Sequence, residues 1–183
     1  YKDLSQQLHA MQSVYQDWLA LHTQLANQHD VMILASSFPV LQNDGSFRNR
    51  ANLVGVDGLI DYQDKLVMTR FEDEQWLIKS SDDIKVIDTD LGKIAINICY
   101  DSEFPLIAHQ QVSAGADLIL VPSCTDTEAG FHRVRIGCEG CRDKAQWVIA
   151  ELDLAEIARV RREGQVFNYR DWHQQARLKK PQS

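Results

Sequence analysis

An α/β protein with a mixed sheet is predicted by two features of this 183-residue chain. Apolar runs of strand length alternate with stretches of helical periodicity, as in layered α/β proteins. Glycine-containing turns also join two of the strand pairs directly, which makes those pairs antiparallel and mixes the sheet. The composition allows an ordinary globular core, with 44% hydrophobic and 25% charged residues. We read residues 1–183 as one domain, with residues 170–183 a loose polar tail.

The elements follow in order. Leu4, Leu8, Met11, Tyr15, Trp18 and Leu25 recur at helical spacing, predicting an amphipathic helix that ends near residues 27–30. Its aromatic stripe reads as core packing. Residues 31–35 form a short apolar strand, and Asn43-Asp44-Gly45-Ser46 forms a turn. Residues 51–56 and 59–62 flank Asp57-Gly58, a tight hairpin. Residues 85–88 and 93–98 flank Asp90-Leu91-Gly92, a second hairpin. Residues 103–114 are helical and stop at Gly115. Residues 118–121 are a strand stopped by Pro122. Residues 133–144 read as a helix weakened by Gly137 and Gly140, residues 147–152 as a strand, and residues 154–162 as a helix.

Charge and cysteine content exclude several functions. A net charge of −7 argues against a general nucleic-acid binder, which needs a basic surface. No run of 18 apolar residues is present to span a membrane, and no signal peptide is visible at the start. Four cysteines in a chain of this length do not by themselves make a disulfide framework, so a reducing, cytoplasmic setting is expected.

The chemistry centres on residues 93–109, K-I-A-I-N-I-C-Y-D-S-E-F-P-L-I-A-H. Residues 93–98 have the β-branched content of a buried strand, and Asp101 or Ser102 can cap the helix that follows. Pro105 suits that helix's first turn. Cys99 therefore lies at a strand-to-helix junction. There it meets unpaired N–H groups and the positive end of a helix dipole, which favour the thiolate. A buried core cysteine is the competing reading.

The stretch C-Y-D-S-E-F-P after an apolar strand resembles the nucleophile segment of the nitrilase, or carbon–nitrogen hydrolase, superfamily. Three further stretches resemble that family in the right order. Y-Q-D-K-L at 62–66 is similar to the segment of the catalytic lysine, N-R-A-N-L-V-G-V-D-G at 49–58 to the strand pair before it, and G-A-D-L-I-L-V-P-S at 115–123 to the strand after the nucleophile helix. The resemblance implies a four-layer α-β-β-α sandwich, incomplete in these residues. It implies Cys99 as nucleophile, Lys65 as oxyanion partner beside the Tyr100 N–H, and a glutamate that orients the lysine. Glu74 is the match we assign to that glutamate, with Glu72 as runner-up.

Tyr100, Asp101 and His132 are assigned to the substrate side, although Asp101 more readily reads as a helix cap and His132 can equally lie on the surface. The implied reaction is hydrolysis of a small linear amide, or a nitrile, through a thioester. No metal or organic cofactor is implied, and a homodimer or larger homo-oligomer is.

The chain departs from the family pattern twice. The family's general-base glutamate has its place before Tyr1, and no glutamate occurs among residues 1–64. Without such a base these residues are expected to acylate at Cys99 yet turn over almost no amide. After Arg142, the chain passes directly into a strand-like run where the family has several tens of further residues. Two alternatives stand beside the enzyme: an inactive relative serving as an interaction module, and a metal or redox protein using Cys138 and Cys141.

Overall fold

The computed structural model describes residues 3–124 and 147–163. The chain divides into two compact units, residues 1–137 and 138–183. In the first, helix α1 (Leu4–His29) is followed by strands β1 (Ile33–Leu41), β2 (Phe47–Gly55) and β3 (Gly58–Asp64). A short helix α2 (Arg70–Glu74) leads to β4 (Ile87–Thr89) and β5 (Gly92–Ile96). A 3-10 turn over Cys99–Glu103, helix α3 (Pro105–Ser113) and strand β6 (Leu118–Leu120) follow. In the second unit the described element is helix α4 (Leu154–Glu163).

Two three-stranded sheets carry the first unit, ordered β1-β2-β3 and β4-β5-β6. The first is antiparallel throughout. The second is mixed, because β4 and β5 form a hairpin whereas β5 and β6 are parallel across the α3 crossover. The inner faces of the sheets share one core. Ala51 and Leu53 of β2 meet Ile87, Ile94 and Ile96 of the second sheet together with Ile98, and Met32, Leu34 and Leu118 pack at its margin.

Each outer face is covered by a helix. On β2 the residue between Ala51 and Leu53 is Asn52, whose Oδ1 accepts from the Tyr15 hydroxyl of α1 at 3.2 Å. Tyr15 and Trp18 also pack their rings on Phe38 of β1. On β5 and its extension the residues between the inward isoleucines are Ala95 and Asn97, both buried. Gln111 of α3 donates to Asn97 Oδ1 at 2.7 Å. The order of layers is thus α1, first sheet, second sheet, α3, the predicted α-β-β-α sandwich.

Several elements differ from the sequence reading. Strand β1 runs on through Pro39 to Leu41. It can do so because it is an edge strand, where the missing proline N–H leaves no ladder bond unmade. Its register shifts between Leu34 and Ser37, where Ser36 takes a φ of 50°. The hairpin between β2 and β3 turns at Val56-Asp57, one residue earlier than expected, because Gly55 pairs with Gly58. The expected strand at 147–152 is not formed. Those residues carry no regular structure, and Trp147 and Ile149 are 95% and 91% exposed. Strand composition without a neighbouring ladder leaves the backbone unpaired. The helix expected at 133–144 lies outside the described residues.

Leu53 is 1% exposed between the two sheets, whereas Leu106 is 75% exposed at the start of α3. Leu53→Ala is expected to cost about 2–5 kcal/mol in chemical denaturation. Leu106→Ala is expected to stay within about 0.5 kcal/mol.

Candidate active site

Lys65 directly follows the last turn of strand pairing. Its N–H donates to the Asn49 carbonyl at 2.8 Å, continuing the ladder between β3 and β2. Its carbonyl accepts from the Ser81 N–H at 2.9 Å. The backbone is therefore held on both sides, and the side chain runs inward, with the residue only 3% exposed. A buried ammonium needs an anion close by. Glu72 supplies it: the Lys65 Nζ donates to Glu72 Oε2.

The Glu72 carboxylate is fixed by other donors as well. Asn49 Nδ2 donates to its Oε1 at 2.9 Å. The Thr69 N–H and hydroxyl donate to Oε2 at 2.9 and 2.7 Å. The Thr69 contacts form a capping box, in which the threonine caps α2 and Glu72 reaches back to the threonine N–H. Burial pushes the Glu72 carboxyl up, but the Lys65 hydrogen bond, the two Thr69 donors and the Lys65 charge outweigh it. They hold the group below its ordinary range.

This arrangement corrects the assignment of Glu74. Glu74 lies on the exposed side of α2, where both its oxygens accept from Arg70 Nε at 2.9 Å. In a one-turn helix, residues two apart are turned roughly 200° from each other, so only one of the pair can face Lys65. The sequence held a signal for the right one, because Thr69-Arg70-Phe71-Glu72 has the spacing of a capping box.

Cys99 continues the line of β5. The Asn97 N–H donates to the Leu120 carbonyl at 2.9 Å and the Cys99 N–H to the Pro122 carbonyl at 3.0 Å. The chain then turns sharply, with Cys99 itself in the left-handed region at φ 50°. A non-glycine residue held there costs of the order of 1–3 kcal/mol, and such residues cluster at active sites. The Ser102 hydroxyl closes the turn by donating to the Cys99 carbonyl at 2.7 Å. Cys99 is half-buried, against the rim of the core between the sheets. The Tyr100 N–H donates to no backbone acceptor outside its own turn among the described residues. The Tyr100 ring is half-buried and meets Phe104 edge-on at 5.0 Å.

Asp101 uses its carboxylate on the backbone. It is fully buried, and its carboxylate accepts from the backbone in two separate segments. From the lysine loop, the Val67 N–H donates to Oδ1 at 2.8 Å, and the Leu66 N–H reaches both oxygens at 3.2 and 3.3 Å. From the end of β5, the Ile98 N–H donates to Oδ2 at 3.0 Å. Burial pushes the Asp101 carboxyl up, and the three N–H donors and the Lys65 charge only partly offset this. The segment that follows Lys65 and the residue that precedes Cys99 are thereby tied to one side chain. His132, Cys138 and Cys141 lie outside the described residues.

The carbon-nitrogen hydrolase family profile matches residues 6–135. The chain belongs to the carbon–nitrogen hydrolase family. It is 42% identical over 120 residues to a probable hydrolase, YhcX, of Bacillus subtilis, covering 66% of this chain and 23% of that protein. Among solved structures, it is similar to Nit3 of Saccharomyces cerevisiae, a member of the nitrilase superfamily. That likeness has a TM-score of 0.56 at 28% identity and covers 62% of this chain and 42% of the yeast one. A mutant amidase from Nesterenkonia sp. AN1, solved with the acetamide moiety of fluoroacetamide added at its active-site cysteine, shares the fold. Its TM-score is 0.60 at 18% identity, over 71% of this chain and 50% of that one. The chain thus spans half or less of the length of each of these relatives. Among the described residues, no helix is long and apolar enough to cross a membrane.

The two glutamates separate in a stability measurement. Glu72→Gln leaves the Lys65 ammonium buried without an anion and is expected to cost about 3–5 kcal/mol. Glu74→Gln removes only an exposed pair, worth at most about 1 kcal/mol. The sign of the pH dependence follows from Glu72 being held low. Its contribution is fully present above its ordinary value of 4.5 and is lost as pH falls through the lower folded value. In denaturation curves from pH 7 down to 3, the gap between the parent protein and Glu72→Gln is expected to be constant above about pH 5 and to narrow below it. A gap that widens in acid would contradict the pairing.

Proposed function

We propose that the protein hydrolyses the carbon–nitrogen bond of a small linear amide through a thioester on Cys99. The observation that carries this reading is the pairing of two local geometries. A cysteine is held in a left-handed strand-to-helix turn, and the loop stitched to that turn delivers a buried lysine already paired to a carboxylate.

The Cys99 sulfur, as thiolate, attacks the amide carbonyl carbon, forming a carbon–sulfur bond and placing negative charge on the carbonyl oxygen. Lys65 and the Tyr100 N–H are the donors we assign to that oxyanion. Glu72 holds the lysine ammonium in place. Collapse of the intermediate breaks the carbon–nitrogen bond, and the amine leaves with the proton that the Cys99 thiol gave up. Water then attacks the thioester, releasing the carboxylic acid and restoring the thiol. Both stages need a proton carrier. Residues 1–64 contain no glutamate to serve as one. An amide is favoured over a nitrile because the structural relative from Nesterenkonia is an amidase with an acetamide-derived adduct on its cysteine.

Two readouts test the reading. Brief treatment with iodoacetamide followed by peptide mapping is expected to label Cys99 ahead of the exposed Cys124. Acylation by a small activated carbonyl compound is expected to be abolished in Cys99→Ser. In Lys65→Met, which removes an oxyanion donor, it is expected to fall about 100- to 1,000-fold. Undiminished acylation in either variant would overturn the assignment.

A further inference from the structure

We propose that Asp101 is a positioning residue, whose carboxylate sets the place of the Lys65 ammonium relative to the Cys99 sulfur by bonding both of their backbone segments at once. The proposal rests on the cysteine-hydrolase reading and adds a residue to it. Asp101 is fully buried and spends its acceptors on Leu66, Val67 and Ile98. The Leu66 and Val67 donors are 35 and 34 residues away along the chain, so the carboxylate is no local cap for them.

The two segments it joins belong to different sheets. Lys65 extends β3, and Ile98 extends β5. Between the sheets the shared core is apolar, made of alanine, leucine and isoleucine side chains. Apolar contact is non-directional and fixes separation better than lateral position. Hydrogen bonds to a planar carboxylate are directional, so they can fix what the core leaves free. Moving a group by about 1 Å at a reacting centre can cost about 100-fold in rate, so a joint at this place would act on chemistry without touching substrate.

The variant Asp101→Asn keeps the shape and one carbonyl acceptor. Its amide nitrogen, however, replaces an oxygen that now accepts from an N–H. Two reactions at Cys99 separate positioning from general loosening. In acylation by p-nitrophenyl acetate, the sulfur–carbon bond forms as nitrophenolate leaves, and an oxyanion develops that Lys65 must meet. Alkylation by iodoacetamide displaces iodide and develops no oxyanion. Asp101→Asn is expected to slow acylation about 10- to 100-fold relative to alkylation. In a Lys65→Met background the same change is expected to lower acylation by less than about twofold, because coupled residues are non-additive.

An equal change in both reactions, or a full additional loss in the Lys65→Met background, would overturn the proposal. Asp101→Glu, which keeps the charge but lengthens the arm, provides a second variant and is expected to show the same selective loss. If circular dichroism shows that neither variant folds, the carboxylate is a folding element and the positioning role is overturned. Failure of the underlying hydrolase reading looks different: the parent protein would then acylate Cys99 no faster than Cys124, or Lys65→Met would acylate like the parent.

Discussion

A lysine ammonium taken out of water must be neutralised where it lies, and that requirement shapes the chain from Asn49 to Ile78. Removing a charge from water costs several kcal/mol unless an opposite charge and enough hydrogen bonds replace the lost hydration. The Glu72 carboxylate meets Lys65, but a buried carboxylate has the same demand. It is met by Asn49 from β2 and by the N–H and hydroxyl of Thr69. Helix α2 is only five residues long and is too short to be stable by itself. Its service is to hold Glu72 at the third position of a capped turn. The segment is then closed off behind the glutamate, where the Ile78 N–H donates to the Glu72 carbonyl and the Lys79 N–H to Phe47.

What could be read from the sequence depended on how local the cause was. Helix α1 announces itself because seven turns repeat one apolar stripe, and its cap at Asp3 and left-handed stop at Asp30 lie next to it in the chain. The hairpins are also local, since a glycine turn between two apolar runs dictates which strands are neighbours. Helix α2, at one turn, is too short to show a period in the sequence. The choice between Glu72 and Glu74 turns on that helix, whose local mark is the capping-box spacing from Thr69 to Glu72. Residues 147–152 show the opposite error. Their apolar content states a preference for strand, but a strand is a relation to a neighbour, and composition does not supply one.

The nucleophile turn lies between these cases. Its strand, its helix and Pro105 could be read from residue types alone, and so could the position of Cys99 at the junction. The left-handed backbone at Cys99 could not, since glycine and asparagine, not cysteine, are the usual marks of that conformation. It is sustained from outside. The Cys99 N–H is drawn to Pro122 across the parallel ladder, while Asp101 and Ser102 pull the following turn back over Ile98 and Cys99. Strain of this kind persists only where the surroundings over-determine it.

Asp101 shows why a residue can be read correctly in kind and wrongly in place. An aspartate after a strand and before a helix is a natural N-cap, an acceptor for backbone N–H groups. Asp101 does accept from backbone N–H groups. Yet two of its three donors come from the loop after Lys65, and only the fold brings that loop near. The cost of burying the carboxyl is visible in its raised proton affinity, which its three donors and the Lys65 charge do not fully offset. A fully apolar residue there would avoid that cost, but it would leave the Leu66, Val67 and Ile98 N–H groups without these acceptors. The expensive solution is therefore the one that satisfies both segments. It also joins the two sheets by hydrogen bonds at the end that carries Lys65 and Cys99.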